Sequence, residues 1–551
     1  MFELPFIRVF GPGDFVLFGT FFVLAAFKLL PVIFATILVL TTFLVVYLEL
    51  KSINNYWKKQ NVPGPEGNLF LGSLLDLAKD VYGFDAANFG KYGKFYGSMM
   101  KGIPDFATTD VDMIQQVLIS EFENFSDPHN FVFDSKSKNN LRKLMLNVQR
   151  GGDWRRIRRK ITPALTSAKM KQLIPGMSFC IRELANYLQP FVEEDKDIPL
   201  KEVYSKLTFN VIGRTVFSGD FNAFSSQNDV PFLANAKKVF GGTLMSPAII
   251  ISFFFPFCCG IYEILTGKCV IRNEVNDYFL ETLSGIVEQR VSDPDARKKN
   301  KDAVQLLLNA IEDHPENVQL DQDLVSEVVQ NSVANQKVSK MEIMAQMLIF
   351  LAAGSETTAS TLHFVTYILS LKPEIQEKVR SEAFQVLGQD LSKEVTMEDL
   401  NKLKYMDQVI LETLRMYSPG ARLNRSCNKR TVVNGIVFEP GSSFSVSPIA
   451  IHYCADYYED PHVFDPERFT PENRKARHPM AFLAFGGGPR ICIGMRFAEF
   501  EMKAAMAFLV RKYQFLPSEN MPGLPVPFRT TGLLAPTVQL KCRFKLLSKL
   551  G

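Results

Sequence analysis

The stretch "FGGGPRICIG", residues 485–494, places a single cysteine, Cys492, among glycines and two positions after Arg490. Glycine has no β-carbon, so the loop lets a flat, bulky ligand lie close to the backbone. Nearby cations and backbone N–H groups favour a thiolate over a thiol, and a thiolate is an axial ligand of haem iron. The loop therefore predicts one cysteine–iron bond beneath a planar macrocycle. An ordinary glycine turn with an inert cysteine is the alternative.

The other seven cysteines show neither a CxxC spacing nor the pattern of a disulfide framework. They indicate a reduced compartment, with most thiols acting as small core residues. The chain has 551 residues, of which 47% are hydrophobic and 22% charged, as is typical of a globular protein. Its net charge of +4 gives no support for nucleic-acid binding.

An uncharged run near the N-terminus, residues 29–48, is long enough to cross a bilayer as a helix. A cleaved signal peptide is the less favoured alternative, because the run is too long and no small-residue cleavage site follows it. Lys51, Lys58 and Lys59 follow the run and predict that the rest of the chain faces the cytosol. We expect a transmembrane anchor at 29–48, after an N-terminal segment, residues 1–28, that is lumenal or interfacial.

The chain after the anchor changes character at "VPGPEG", residues 62–67. Its prolines are unfavourable inside helices and strands, so residues 49–68 predict a stiff linker with a proline-rich hinge. Residues 69–551 are expected to form one catalytic domain, mainly helical with a few short strands. Short strands are predicted within 429–449, and a hairpin within 530–544.

A second apolar run, residues 247–265, has the length of another membrane span. A span here would put the residues before it and after it on opposite sides of the membrane. The site predicted below uses residues from both parts. We therefore interpret the run as a hydrophobic flap that rests on the bilayer or closes a pocket.

The clearest predicted helix covers residues 338–371. Ser339 and Glu342 form a capping-box pattern at its start, and Pro373 follows its end. The helix is apolar on nearly every side, which predicts a path through the protein core.

The middle of this helix carries "AGSETT", residues 353–358. Thr357 and Thr358 can donate to carbonyls one turn back and bend the helix. A carboxylate on an apolar helix is costly unless it has a partner or a task. Glu356 and Thr357 are therefore predicted to relay protons to iron-bound oxygen. A helix kink with a salt bridge in the core is the alternative.

A second helix is predicted at 402–417, where Glu412 and Arg415 share one face. A solvated surface pair is the ordinary interpretation of such a spacing. Arg468, in "FDPERF", would convert the pair into a buried triad. We expect this triad to be structural and to hold the loop beneath Cys492.

In "WRRIRRK", residues 154–160, Trp154 and Arg158 lie one helical turn apart. Indole N–H and guanidinium groups are good donors to carboxylates such as haem propionates. The remaining cations are expected to form a solvated basic face that attracts an acidic protein partner; they are Arg155, Arg156, Arg159 and Lys160.

Taken together, these motifs resemble the cytochrome P-450 family, and most closely its microsomal, family 3-like group. Five positions match the family's haem-binding signature: Phe485, Gly488, Arg490, Cys492 and Gly494. The resemblance extends from the proline hinge to the C-terminus and leaves out only the anchor region.

Three further motifs carry the same resemblance. The stretch with Glu356 and Thr357 resembles the family's oxygen-activation helix. The Glu412-x-x-Arg415 pair with Arg468 resembles its core triad. The Trp154-x-x-x-Arg158 pair resembles its haem-clamping helix. The resemblance also implies a group of side chains around the haem propionates: Arg425, Arg490, Trp154 and Arg158.

The resemblance implies a haem-thiolate fold, mainly α with a small β region, preceded by an N-terminal transmembrane helix. It implies haem b (iron protoporphyrin IX) and a monooxygenase that inserts one atom of O2 into a lipophilic small molecule. Electrons would come from NADPH through the flavins of NADPH–cytochrome P-450 reductase, with cytochrome b5 as a second candidate partner. The expected location is the endoplasmic-reticulum membrane, with the catalytic domain facing the cytosol.

Two other functions remain open at this point. One is a haem-thiolate isomerase or dehydratase that needs no O2, which the intact acid–alcohol pair disfavours. The other is a non-catalytic membrane protein that binds haem or lipid, which the full set of chemical motifs disfavours.

Overall fold

A computed structural model gives the fold and describes residues 19–23, 32–129, 140–225, 229–240, 256–266, 273–293, 302–312 and 338–547. The chain divides into two compact units. The sheet unit comprises residues 1–137, 243–271 and 422–450, and the helical unit comprises residues 138–242, 272–421 and 451–551, as far as each is described.

Helices dominate the described residues. In chain order they are α1 (Val32–Asn54), α2 (Leu74–Lys79), α3 (Val81–Tyr92), α4 (Val111–Gln115), α5 (Gly151–Ile161), α6 (Ser167–Glu193), α7 (Leu200–Val216), α8 (Pro231–Phe240), α9 (Pro256–Thr266), α10 (Asn273–Ser292), α11 (Ala303–Glu312), α12 (Lys340–Leu371), α13 (Pro373–Leu387), α14 (Met397–Lys402), α15 (Lys404–Met416), α16 (Pro448–His452), α17 (Pro471–Ala476) and α18 (Met495–Lys512).

The strands are short. They are β1 (Phe95–Met100), β2 (Ile103–Thr108), β3 (Ile198–Pro199), β4 (Leu423–Ser426), β5 (Thr431–Val433), β6 (Ile436–Phe438), β7 (Ser443–Val446), β8 (Tyr513–Pro517), β9 (Phe528–Thr530), β10 (Leu534–Pro536) and β11 (Lys541–Leu546). The expected fold class, mainly α with a small β region, is confirmed.

The sheet unit is built on one four-stranded sheet in the order β1-β2-β7-β4. Strands β1 and β2 form an antiparallel hairpin, β7 joins β2 in parallel, and β4 closes the sheet antiparallel to β7. Phe106 on β2 is fully buried and stacks on Phe95 and Phe444, which fixes the centre of this core. The short strands expected within 429–449 are confirmed as β5, β6 and β7.

The apolar helix α1 runs to Asn54, six residues beyond the end of the expected anchor. Most of its apolar side chains are exposed, and Thr36–Asn54 is long and apolar enough to cross a membrane by length and composition. Residues 1–18 and 24–31, which include most of the expected N-terminal segment, lie outside the described residues.

The segment after α1 packs against the first strand of the sheet. The indole N–H of Trp57 donates to the carbonyl of Ser98 at 2.9 Å, and Gly97 N–H donates to the carbonyl of Pro63 at 2.8 Å. A β-carbon on Gly64 would lie 1.8 Å from the carbonyl oxygen of Gly97, so only glycine allows this close approach.

The apolar run 247–265 is described only in its second part. Residues 247–255 lie outside the described residues, and α9 covers Pro256–Thr266. Ile264 and Leu265 are 69% and 79% exposed.

The helical unit is organised around α12, whose residues are mostly buried along its whole length. The predicted capping box is confirmed, because the Ser339 side chain accepts from Glu342 N–H and the Glu342 carboxylate accepts from Ser339 N–H. The helix ends at Leu371, and Pro373 begins α13 at a position where its missing N–H costs nothing. The second predicted helix is confirmed as α15.

The predicted C-terminal hairpin is only partly right. Strands β9 and β10 pair antiparallel, so the hairpin begins at Phe528 and ends at Pro536. Strand β11 does not belong to it, because β11 pairs with β8 and β3 in a separate three-stranded sheet. Alternating apolar residues identify a strand but do not identify its partner.

Candidate active site

The cysteine loop is a tight turn that leads directly into α18. Cys492 N–H donates to the carbonyl of Phe485 at 2.9 Å, which closes the loop. Gly486 and Gly488 have φ values of 79° and 67°, in the left-handed region that favours glycine. Gly494 is the N-cap of α18, so the sulfur lies beside the positive end of an 18-residue helix.

Burial and the neighbouring polar groups have opposite effects on the pKa of the Cys492 thiol. Cys492 is exposed on one side, but protein atoms crowd its sulfur elsewhere, and this burial raises the pKa of the thiol. The Gly494 N–H and the Arg158 guanidinium lower that pKa without reversing the shift. The loop therefore has two groups that stabilise a thiolate, which a bound metal ion would favour outright.

Helix α5 brings Trp154 and Arg158 to the cysteine loop. The Arg158 guanidinium donates to the carbonyl of Ile491 at 2.9 Å and lies 5.7 Å from the Trp154 ring. Arg490 covers the same ring at 4.2 Å and donates to the carbonyl of Gln149 at 2.8 Å. The charge of Arg158 lowers the pKa of the Cys492 thiol, although Arg490 is nearer to Cys492 in sequence.

One member of the expected basic face is not solvated. Arg156 is only 5% exposed, and its guanidinium donates to the carboxylates of Glu342 and Asp153. The expectation of a solvated side chain is wrong at this position, because Arg156 points away from Trp154 and towards α12. Arg155, Arg159 and Lys160 are partly exposed.

Helix α7 packs against the middle of α12. A β-carbon on Gly354 would lie 2.7 Å from the Cδ1 of Ile212, so glycine allows the two helices to approach. The Thr208 hydroxyl donates to the carbonyl of Ser355 at 2.9 Å. Thr357 donates to the carbonyl of Ala353 at 2.8 Å, one turn back, as the sequence predicted. Helical structure nevertheless continues through residues 353–358.

Glu356 is held by a cation that the sequence did not reveal. The Lys201 ammonium lies 2.7 Å from the Glu356 carboxylate and donates to the Glu356 carbonyl at 3.0 Å. Burial lowers the pKa of Lys201, and the Glu356 charge partly offsets that effect. Lys201 lies 155 residues before its partner, so no local spacing could have indicated the pair.

The structure brings the three members of the expected triad together. Glu412 and Arg415 are fully buried and joined by two hydrogen bonds of 2.7 and 2.8 Å. Arg468 Nε lies 3.5 Å from the Glu412 carboxylate, an ion-pair distance. Burial raises the pKa of Glu412, and Arg415 is the strongest influence in the opposite direction.

A buried histidine extends this triad towards the cysteine loop. Arg415 donates to the carbonyl of His452 at 2.7 Å, and the His452 Nδ1 lies 2.9 Å from the carbonyl of Arg415. On its other side, the His452 Nε2 accepts the N–H of Leu483 at 3.0 Å. The imidazole therefore carries its proton on Nδ1. Sequence reasoning did not single out His452.

Arg425 belongs to the sheet unit and is buried there without an acidic partner among the described residues. Its guanidinium donates to the carbonyl of Asn424 at 3.0 Å, its Nε makes no hydrogen bond, and burial lowers its pKa to about 10. Arg422, by contrast, lies between two carboxylates, those of Asp85 and Asp105, at 2.9 and 3.0 Å. A buried cation that lacks such partners is suited to an anionic ligand.

These groups fit a haem. Cys492 offers one sulfur ligand in a glycine-lined loop. Buried or partly buried donors for carboxylates are present on α5, in the same unit as Cys492.

Comparison with known proteins agrees with this geometry. A sequence model of the family described as cytochrome P-450 matches residues 62–544. The chain is 32% identical over 482 residues to cytochrome P-450 3A41 of Mus musculus, covering 87% of this chain and 90% of that protein. It is 31% identical to cytochrome P-450 3A1 of Rattus norvegicus with the same coverage.

A third relative, cytochrome P-450 3A29 of Sus scrofa, is 30% identical over 504 residues, covering 91% of this chain and 94% of that protein. The match includes the cysteine loop, α5, α12 and α15, because all four lie inside residues 62–544. The chain therefore belongs to the cytochrome P-450 family, and it is a haem-thiolate monooxygenase.

Proposed function

We propose that the protein is a microsomal monooxygenase that takes electrons from NADPH through a flavoprotein reductase and inserts one atom of O2 into a lipophilic molecule. The main observation behind this proposal is the environment of the Cys492 sulfur. Its sulfur lies beside Arg158 and Gly494 N–H, and the same unit contains the acid–alcohol pair of α12.

Haem b would be held at both its metal and its carboxylates. Cys492 would bind the haem iron through its sulfur, and Phe485, Gly488 and Gly494 would shape the loop that holds this sulfur. Donors to the propionates would be Trp154, Arg158, Arg490 and Arg425, the last by the family resemblance. When bound, the haem supplies the iron at which O2 is reduced with two electrons and two protons.

The residues of the chain then have separate tasks. Cys492 would bind the iron as a thiolate, because metal ligands must be deprotonated. The Glu356 carboxylate, oriented by Lys201, moves protons towards the hydroxyl of Thr357. The Thr357 Oγ1 already donates to the Ala353 carbonyl, so it keeps acceptor capacity for an incoming proton donor.

The triad of Glu412, Arg415 and Arg468 has a structural task. It links α15 to the residues just before the loop through His452 and Leu483. These polar groups are buried and paired with one another. We therefore propose that they fix the position of the cysteine loop relative to α15 and take no part in proton transfer.

The basic face of α5 is the proposed contact for the reductase, with cytochrome b5 as a second acidic partner. Arg155, Arg159 and Lys160 are partly exposed on this helix, and positive potential speeds the approach of acidic proteins. Electron-transfer rates that do not respond to ionic strength would argue against this surface.

We propose the endoplasmic-reticulum membrane as the location, with the catalytic domain in the cytosol. Helix α1 can cross a bilayer, and the lysines after it favour the cytosolic side. A lipophilic substrate is consistent with a membrane-bound enzyme that contains 47 phenylalanines.

Reconstitution tests the proposed function. The purified protein, loaded with haem and mixed with NADPH–cytochrome P-450 reductase in lipid vesicles, should bind lipophilic compounds with a change in haem spin state. It should then consume NADPH and O2 and incorporate one labelled oxygen atom from 18O2 into product. Turnover without NADPH would identify an isomerase or dehydratase instead, and substrate binding with no turnover would identify a binding protein.

A further inference from the structure

Helix α5 presents two faces. Successive residues of an α-helix are about 100° apart, so Trp154 and Arg158 share one face while Arg156 lies on the opposite side. The first face contacts the cysteine loop, since Arg158 donates to the carbonyl of Ile491. The second face contacts α12, since Arg156 donates to Glu342. The helix therefore lies between the core helix and the loop that would hold the haem.

The Arg156–Glu342 contact is buried and uses both arms of the guanidinium. Nη2 donates to Glu342 Oε1 and, at 3.1 Å, to Asp153, while Nη1 lies 3.4 Å from Glu342 Oε2. Planar, two-point contacts of this kind fix orientation as well as distance. A lysine could not reproduce them, because its ammonium is a single point of charge.

Glu342 is itself fixed by the first turn of α12. Its carboxylate accepts from the Ser339 N–H at 2.8 Å and from the Ser339 hydroxyl at 3.0 Å. Burial raises the pKa of Glu342, but hydrogen bonds from Arg156 and Ser339 lower it further, so the carboxylate stays charged. The acid that closes the capping box of the core helix is thus also the anchor for Arg156.

A second contact one turn along α12 holds the segment that leads into α5. The Gln346 side chain donates to the carbonyl of Leu144 at 2.7 Å and accepts from the N–H of Leu146 at 3.0 Å. From the other side, Arg490 of the cysteine loop donates to the carbonyl of Gln149. The chain from Leu144 to α5 is therefore held by α12 at one side and by the loop at the other.

We propose that Arg156 and Glu342 are positioning residues that set the haem-clamping face of α5 at its correct distance from Cys492. They act through Trp154 and Arg158 and do not themselves contact the haem. This inference rests on the proposed haem site. If Arg156 is removed, the buried Glu342 carboxylate loses its charged partner, and if Glu342 is removed, Arg156 loses its two-point contact with α12. In either case α5 is expected to shift relative to α12. The haem should then be held less tightly.

The experiment measures haem loss rather than turnover. Full-length ferric protein in detergent micelles is mixed with excess apomyoglobin, and the rate of haem transfer is followed by absorbance. Arg156→Gln and Glu342→Gln should each release haem about 10-fold faster than the wild type, as is usual for residues that orient a metal site from outside it. Arg159→Gln, on the same helix, is the matched control and should release haem at the wild-type rate.

The exchanged pair Arg156→Glu with Glu342→Arg separates positioning from general destabilisation. It restores opposite charges, so haem loss should return most of the way to the wild-type rate, with the thiolate band of the reduced carbon monoxide complex retained. If the single variants do not fold, Arg156→Lys decides the matter. It keeps the charge but not the two-point contact, and should release haem faster while its unfolding temperature stays close to wild type.

Three results would overturn the inference: wild-type haem loss in the single variants, no recovery in the exchanged pair, or wild-type haem loss in a folded Arg156→Lys protein. A wild-type protein that binds no haem would instead contradict the proposed function, so the two failures are distinguishable.

Discussion

The Nε2 of His452 accepts the backbone N–H of Leu483 at 3.0 Å, two residues before the cysteine loop begins. Since Nδ1 donates to the carbonyl of Arg415, the imidazole uses both nitrogens and must be neutral in this arrangement. A single histidine thus connects the buried Glu412–Arg415 pair to the chain that leads to Cys492.

The first prediction concerns the dependence of stability on pH. Burial and the nearby Arg415 charge lower the pKa of His452 from 6.5 to about 3. Between these pH values the unfolded chain binds one more proton at this site than the folded protein does. Stability therefore falls as pH decreases through this range, by about 1.4 kcal/mol per pH unit for one such group.

Chemical denaturation of the haem-loaded protein at several pH values between 4 and 7, in roughly half-unit steps, measures this effect. His452→Gln should lower stability at pH 7 but flatten its decline towards acid. His462→Gln, which changes an exposed ring, is the control and should behave like the wild type. An unchanged slope in His452→Gln would show that the imidazole is not held neutral.

The second prediction concerns the sulfur ligand. Cys492→His should abolish the thiolate band of the reduced carbon monoxide complex and lower monooxygenase turnover by at least about 100-fold, because the thiolate drives O–O cleavage. Cys258→Ser changes an exposed thiol elsewhere and should leave the spectrum as it is. Retention of the band in Cys492→His would assign the ligand to another residue.

The third prediction concerns proton delivery on α12. Thr357→Ala removes the hydroxyl next to Glu356, so the product formed per NADPH oxidised should fall on the order of tenfold, with the remainder escaping as reduced oxygen species. Thr361→Ala removes a hydroxyl one turn further on, which donates to the carbonyl of Thr357 at 3.1 Å. This control should couple NADPH oxidation to product as the wild type does. Equal coupling in all three proteins would exclude Thr357 from the relay.

The fourth prediction concerns Lys201. Lys201→Met removes the cation that lies 2.7 Å from the Glu356 carboxylate, so that carboxylate loses the ion pair that fixes its orientation. Coupling should fall about as far as in Glu356→Gln, and the double variant should lose little more, because residues that act as one unit are not additive.

Lys201→Arg keeps a cation at this position and serves as the matched control for Lys201→Met. It should retain most of the coupling. Additive losses in the double variant would mean that Lys201 and Glu356 act independently, and that the 2.7 Å pair has no part in proton delivery.

The sequence contained the local features of the site but few of its long-range contacts. The glycine loop, the capping box and the Glu412–Arg415 spacing are readable because each is specified within a few residues. Local sequence could not predict the roles of Lys201 and His452 or the buried orientation of Arg156. Their partners lie 155, 31 and 186 residues away, and only the packing of helices brings them together.

The same reason explains the error at the C-terminus. The pattern of residues 530–544 correctly indicated extended backbone on both sides of a turn. It could not show that β11 would leave the hairpin, because the strand that accepts it, β8, lies before β9 in the chain. Pairing between strands depends on tertiary packing more than on intrinsic preference.

The close approach of Gly64 to Gly97 has a mechanical consequence. Because a methyl group would not fit at this point, the segment after α1 is packed directly against the sheet and cannot rotate freely relative to it. A shift of this segment would break its contact with β1, where the Gly97 N–H donates to the carbonyl of Pro63 at 2.8 Å. A longer or more flexible segment here would keep α1 joined to the sheet, but it would no longer fix the direction in which α1 leaves that sheet.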